Sequence, residues 1–223
     1  METIKLVYPV EGGDMIEAGE ASSKMKLTLK KLGLPQEYRS IGILTADSDD
    51  VTYCALDEAT KAAAVEVVYG RSLYAGAANA STKLAGEVIG ILAGPNPAEV
   101  QSGLRSCVDF MESGVGFVSA NEDDSIVYFA HTVSRTGSYL SKTAGVKEGE
   151  ALAYLIAPPL EAVVGLDEAL KASDVELVAL FEPPSETNFG GGLLTGTQSA
   201  CDAACAAFAA AVTEVAAQPM ERM

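Results

Sequence analysis

The sequence predicts an α+β chain made of two copies of one small module. Three observations carry this. Leu56–Val67 (LDEATKAAAVEV) returns as Leu166–Leu177 (LDEALKASDVEL), with eight of twelve positions identical at an offset of 166 − 56 = 110 residues. Leu92-Ala93-Gly94, ahead of a helical stretch ending in Cys107, returns as Leu194-Thr195-Gly196 ahead of one holding Cys201 and Cys205, at 194 − 92 = 102 residues. The first copy therefore carries about 110 − 102 = 8 extra residues between its landmarks. Third, short β-rich segments alternate irregularly with helical ones, which suits α+β units rather than a wound parallel sheet. Such an offset exceeds the roughly 20–50-residue units of solenoids and is the size of a small domain. The first module is placed at residues 1–112 and the second at 113–223.

In chain order, the stretch to about Gly13 is polar and irregular. Ser22-Ser23 can cap a helix through Lys31, with Met25, Leu29 and Leu32 as its apolar face and Pro35 after its end. Ser40–Ala46 (SIGILTA) reads as a buried strand. Asp47 to Asp50 reads as an acidic turn and Val51–Ala55 as extended. Leu56–Ala64 reads as a helix, with Asp57 and Glu58 in its first turn, where carboxylates suit the positive end of the helix dipole. Val65–Val68 is a short strand. Tyr69–Gly86 (YGRSLYAGAANASTKLAG) has small residues and no period, so it reads as a long loop, and loops beyond about 12–15 residues are usually functional. Glu87–Leu92 is again a strand, and Pro97 opens a helix to about Met111.

The second copy starts near Gly114. Ser125–Ala130 reads as a strand and Val133–Gly145 as a polar loop with a short helix. Leu152–Ala157 matches the Ser40–Ala46 strand, and Pro158-Pro159 stands where the first copy has its acidic turn. Leu166–Ala172 is the twin helix and Val175–Phe181 the twin strand. Glu182–Gly192 (EPPSETNFGGG) is the second long loop, its three glycines reading as a hinge or pore lip. The last helix, Gln198–Ala216, is Ala-rich and amphipathic, with Phe208, Val212 and Val215 among its larger apolar residues.

Composition narrows the function. Hydrophobic content is 48% with no Trp, and mean hydropathy is +0.20, more apolar surface than two small cores need. The surplus is assigned to a subunit interface. A net charge of −16 and a pI near 4.3 exclude nucleic acid as a partner, because neutralising phosphates takes Lys and Arg. The same field favours cationic or neutral small molecules. No apolar run is expected to reach the roughly 18–20 residues of a membrane span. The N-terminus METIKLVYPVEGG lacks a basic segment followed by an apolar run, so no secretory signal is expected. In a reducing cytosol Cys54, Cys107, Cys201 and Cys205 are then free thiols. Cys201 and Cys205, one helical turn apart, read as small core residues rather than a metal pair.

Several catalytic readings fail on context. Gly114-Val115-Gly116 starts a dinucleotide-like pattern, but Ser119 replaces the third Gly and a helix precedes it instead of a strand. Gly190-Gly191-Gly192 has no Lys-Ser/Thr after it to hold phosphate. His131 is the single histidine, and no nucleophile elbow accompanies it. Asp47, Asp49 and Asp50 lack the central Gly and distal Glu of a calcium loop, so a solvated turn is favoured.

Eight ordered motifs nevertheless form a pattern: Ala46–Tyr53 (ADSDDVTY), LDEATKAA, Val67–Ala77 (VVYGRSLYAGA), Leu84–Glu99 (LAGEVIGILAGPNPAE), Val133–Ser141 (VSRTGSYLS), Leu155–Ala162 (LIAPPLEA), Pro183–Phe189 (PPSETNF) and Leu193–Cys201 (LLTGTQSAC). Together they resemble the EutL family, tandem-domain shell proteins of the ethanolamine-utilisation bacterial microcompartment. The resemblance spans about Ser40 to Ala216, while residues 1 to about 24 match poorly. It implies two circularly permuted BMC domains and a homotrimer with pseudo-hexagonal symmetry. That trimer would be a tile beside other microcompartment shell proteins in a cytoplasmic shell. The long loops would line a gated central pore passing metabolites or cofactors. No enzyme activity, cofactor or metal is implied. Small channels would bind ethanolamine through Asp50, Glu87, Phe117 and Thr187.

The chemistry is consistent with that ligand. A primary ammonium has three donors and no acceptor, so the Asp50 and Glu87 carboxylates could neutralise and bond it. Phe117 could pack on the carbon stem or face the cation, and Thr187 could meet the hydroxyl. Read without the resemblance, Asp50 caps a turn, Glu87 starts a strand and Phe117 is core. Two other identities stand beside this one: a shell protein of a related microcompartment, and a soluble amine-binding regulatory module. An amine-processing enzyme would need an activated nucleophile or a cofactor, and the sequence offers neither.

Overall fold

The structure, a computed structural model, describes residues 5–11, 38, 40–46, 48–72, 88–182 and 188–218. The helix expected at Ser22–Lys31 and the turn residue Asp47 lie outside these residues. The chain divides into two compact units: Met1–Gly114 with Gly137–Tyr139, and Val115–Thr136 with Leu140–Met223.

The first unit contains β1 (Lys5–Glu11), β2 (Ser40–Ala46), α1 (Asp49–Ala62), β3 (Glu66–Ser72), β4 (Val88–Gly94) and α2 (Pro97–Glu112). Its sheet has the order β1-β2-β4-β3 and is antiparallel throughout. The central strands pair from Ser40↔Gly94 to Ala46↔Val88. Alternation in these strands turns Gly42, Leu44, Gly90 and Leu92 toward the helices, with Gly42 under Val100 and Leu104 of α2 and Gly90 under Leu56 of α1. The opposite register, Ile41, Ile91 and Ala93, forms a second buried cluster with Tyr38, Ile43, Val68, Tyr69 and Ile89. At the start of α2 the Asn96 side chain accepts from the Glu99 N–H (3.0 Å) and Pro97 takes the first turn. The Glu99 carboxylate also accepts from the Ala64 N–H at 2.7 Å.

In chain order the later elements are β5 (Val118–Ser119), β6 (Val127–Val133), α3 (Ser138–Ala144), β7 (Ala151–Ala157), α4 (Pro159–Ala172), β8 (Val175–Phe181), β9 (Gly190–Gly196) and α5 (Gln198–Ala217). The second unit's sheet has the order β5-β6-β7-β9-β8, again antiparallel. Without the short β5, this repeats the first sheet strand for strand. Even the irregularities repeat. The β3–β4 register slips at Val68 and the β8–β9 register slips at Val178, 178 − 68 = 110 residues apart. The second core places Leu155 and Leu194 of the sheet against Leu166 of α4 and Cys205, Phe208 and Val212 of α5.

Four sequence expectations shift. α1 starts at Asp49, so Val51–Ala55 is helical and not extended. Val51, Thr52, Ala55, Leu56 and Ala59 share one fully buried helical face, and that 3.6-residue period outweighs the β preference of VTYC. α4 starts at Pro159, where proline's missing N–H costs nothing at a helix start, rather than at Leu166. Tyr69–Ser72 is strand, the end of β3, because Tyr69 packs into the second cluster; the rest of the expected loop, residues 73–86, lies outside the described residues. Gly190–Gly192 is not a hinge. These glycines open β9, buried and paired with Ala157, Ile156 and Leu155 of β7.

α5 departs from the expectation about apolar runs. Its 20 residues are long and apolar enough to cross a membrane by length and composition. Its Cys201, Ala204, Cys205, Phe208, Ala211, Val212 and Val215 are buried in the second unit, and 39% of its most apolar stretch is buried there.

Candidate functional site

Asp50 is the second residue of α1 and is buried, 9% exposed. Its N–H donates to Asp49 Oδ1 at 2.9 Å, and Thr52 Oγ1 donates to the Ser48 carbonyl, tying down the first turn. Two acidic residues here face the positive helix end. One turn on, burial pushes the Cys54 thiol well above its usual range, and the Asp50 and Asp57 charges push it further. The Lys61 charge opposes them. Asp49 and Asp50 thus place two carboxylates in the first turn of α1.

Glu87 lies outside the described residues. The residue after it, Val88, pairs with Ala46, four residues before Asp50 (50 − 46 = 4). That pair closes one end of the β2–β4 ladder.

Phe117 belongs to the second unit and is half-buried. Its ring packs against Phe129 with centroids 5.6 Å apart and meets Phe189 edge-on at 5.7 Å. The aromatic chain continues from Phe129 to Tyr154 at 5.6 Å and on to Phe181 at 6.0 Å. Thr187 lies outside the described residues, two positions before Phe189. Of the four expected residues, the structure describes Asp50 in the first unit and Phe117 in the second.

The cysteines are chemically quiet. All four are free and buried. Burial raises Cys107 to about 12, and burial raises Cys205 to about 11, where Thr132 Oγ1 donates to its sulfur at 3.4 Å. A buried thiol held this far from its thiolate is a poor nucleophile or metal ligand.

Sequence reasoning missed one polar cluster, around Asp57. The sequence places Asp57 in a first helical turn, but in the full-length α1 it lies mid-helix and its side chain is 1% exposed. The one available signal was a difference between the copies: Thr60 follows LDEA in the first, and Leu170 follows it in the second.

The comparisons with known proteins agree with this architecture. The profile of the BMC domain matches residues 40–123. The chain is 72% identical over 191 residues to the bacterial microcompartment shell protein EutL of Clostridium perfringens, covering 86% of this chain and 88% of that protein. The crystal structure of the ethanolamine utilization protein EutL from Leptotrichia buccalis superposes with a TM-score of 0.86 at 66% identity, over 98% of this chain and 94% of that one. A trimeric bacterial microcompartment shell protein, PduB, shares the fold at a TM-score of 0.73 and 20% identity, over 99% of this chain and 90% of that one. With this identity and coverage, and two units of one strand order, the chain belongs to the EutL family of bacterial microcompartment shell proteins.

Proposed function

We propose that three copies of this chain assemble into a tile with pseudo-sixfold outline, each chain supplying two BMC modules, residues 1–112 and 113–223. The observation that carries the reading is the duplication itself: the two units share strand order and a register slip at matching positions. Two like modules in one chain give a near-hexagonal ring under threefold symmetry while letting alternate corners differ. A shell protein of this fold is trimeric by its own description, which supports the same symmetry here. The segments joining β3 to β4 and β8 to β9 line a gated central pore for metabolites or cofactors. Neighbouring shell proteins complete the layer.

Small channels in the tile bind ethanolamine. Asp50 and Glu87 take the ammonium, Phe117 packs on the carbons and Thr187 meets the hydroxyl. The two carboxylates in the first turn of α1 support the first assignment, and the packing of Phe117 against Phe189, two positions after Thr187 in sequence, supports the second. Titration calorimetry with ethanolamine tests the site. Asp50→Asn, which keeps the shape and removes the charge, is expected to weaken binding by about 10–100-fold, the value of a charged hydrogen bond. Unchanged affinity in a folded Asp50→Asn protein removes Asp50 from the site.

A further inference from the structure

The repeated LDEA motif does two different jobs. In the first copy, Asp57 Oδ2 accepts from the Gly137 N–H at 2.7 Å, across 80 residues of sequence. Lys61 Nζ stands 3.6 Å from the same oxygen, with its side chain 13% exposed. Thr60 Oγ1 donates to the Asp57 carbonyl at 2.8 Å and accepts from the Ser138 N–H at 3.1 Å. A Cβ on Gly137 would come 2.2 Å from Thr60 Oγ1 and 2.7 Å from the Asp57 carbonyl oxygen, so only glycine lets the backbone approach this closely. Tyr139 follows. Its ring lies 6.3 Å from that of Tyr53, and a Cβ on Gly70 of β3 would come 2.6 Å from its hydroxyl. Gly137, Ser138 and Tyr139 thus pack as part of the first unit although the sequence places them well past its last helix.

In the second copy the equivalent Asp167 is 61% exposed and, among the described residues, pairs along its own helix with Lys171, itself 60% exposed. Leu170, at the Thr60 position, is also exposed. Identical letters therefore give a buried anchor in one copy and a solvated surface pair in the other.

We propose that Asp57 is a positioning residue specific to the first copy: with Thr60 it captures Gly137 and Ser138, and so seats Tyr139 over Gly70 of β3. The bond joins a charged acceptor to a buried backbone donor, the arrangement whose loss leaves an expensive orphan. The first unit is completed by a piece of chain that the second copy contributes. This holds whatever the pore or the channels carry.

The two copies supply their own control. Hydrogen exchange on the intact protein is compared for Asp57→Ala, Asp57→Asn and Asp167→Ala. Asp57→Ala is expected to speed exchange at the Gly137 and Ser138 amides by at least about tenfold, since protection there depends on the captured state. Asp57→Asn, which retains a side-chain oxygen acceptor, is expected to restore part of that protection, and Asp167→Ala to leave it unchanged. Equal exchange in the parent and Asp57→Ala overturns the proposal, as does an equal effect from Asp167→Ala. Should Asp57→Ala fail to fold, Thr60→Val serves. It removes the Ser138 acceptor and is expected to speed Ser138 more than Gly137, and unchanged exchange at Ser138 contradicts the proposal.

Discussion

Gly191→Ala is expected to destabilise the second unit by about 3 kcal/mol or more, lowering its thermal midpoint by roughly 10 °C or more. The reason is backbone against backbone. A Cβ at Gly191 would lie 1.9 Å from the Leu155 carbonyl oxygen, in the strand that β9 pairs with. A flexible side chain could swing aside, but a ladder carbonyl at the centre of the sheet cannot move without breaking its neighbours' bonds. Relief requires β9 to separate from β7 or shift register, and a one-residue slip would turn buried Leu194 away from the helices. Gly116→Ala is the control, because its Cβ would meet nothing within 4 Å. Thermal denaturation of the two variants separates the readings of this segment. A hinge would tolerate Gly191→Ala with little loss of stability.

Phe208→Ala is expected to cost about 3–5 kcal/mol, a large part of the roughly 5–15 kcal/mol that holds a domain together. The ring is fully buried at the centre of the second core. It meets Tyr128 edge-on at 6.5 Å and rests on Gly165 of α4, whose missing Cβ leaves the ring its space. Truncation empties a volume that the rigid β7–β9 pair cannot refill. The exposed Leu160 provides the contrast, and Leu160→Ala should stay within about 0.5 kcal/mol of the parent. Denaturant unfolding of both variants measures the difference. A Phe208→Ala midpoint near that of Leu160→Ala would mean the core is centred elsewhere.

As a member of the EutL shell proteins the chain is a structural component of a microcompartment and not an enzyme. Its buried, strongly raised thiols fit a building block better than a catalyst.

The duplication was legible in the sequence because eight of twelve positions from Leu56 and from Leu166 agree without a gap, including Asp167 and Lys171, which are exposed in the second copy. Val175–Phe181 follows from being the twin of the first-copy strand, and the Pro97 helix start from proline's place in a first turn. The start of α1 was not legible. Val51, Thr52 and Tyr53 have strand preferences, and only the burial of one helical face overrides them. The three glycines of β9 misled for a different reason. Glycine marks both flexible turns and close backbone approach, and the carbonyl of Leu155 that decides between them is 36 residues away (191 − 155 = 36). The candidate site came almost wholly from family resemblance. Asp50, Glu87, Phe117 and Thr187 are scattered along the chain, and no local spacing links a carboxylate in one module to an aromatic ring in the other. Asp57 was hidden because its motif reads the same in both copies.

The central claim is that one chain carrying two like modules closes a ring by threefold assembly. Sedimentation equilibrium of the purified protein at micromolar concentration tests it most directly. The account predicts one species at three times the 23.0 kDa chain mass, about 69 kDa. A single species at 23.0 kDa under those conditions would contradict it.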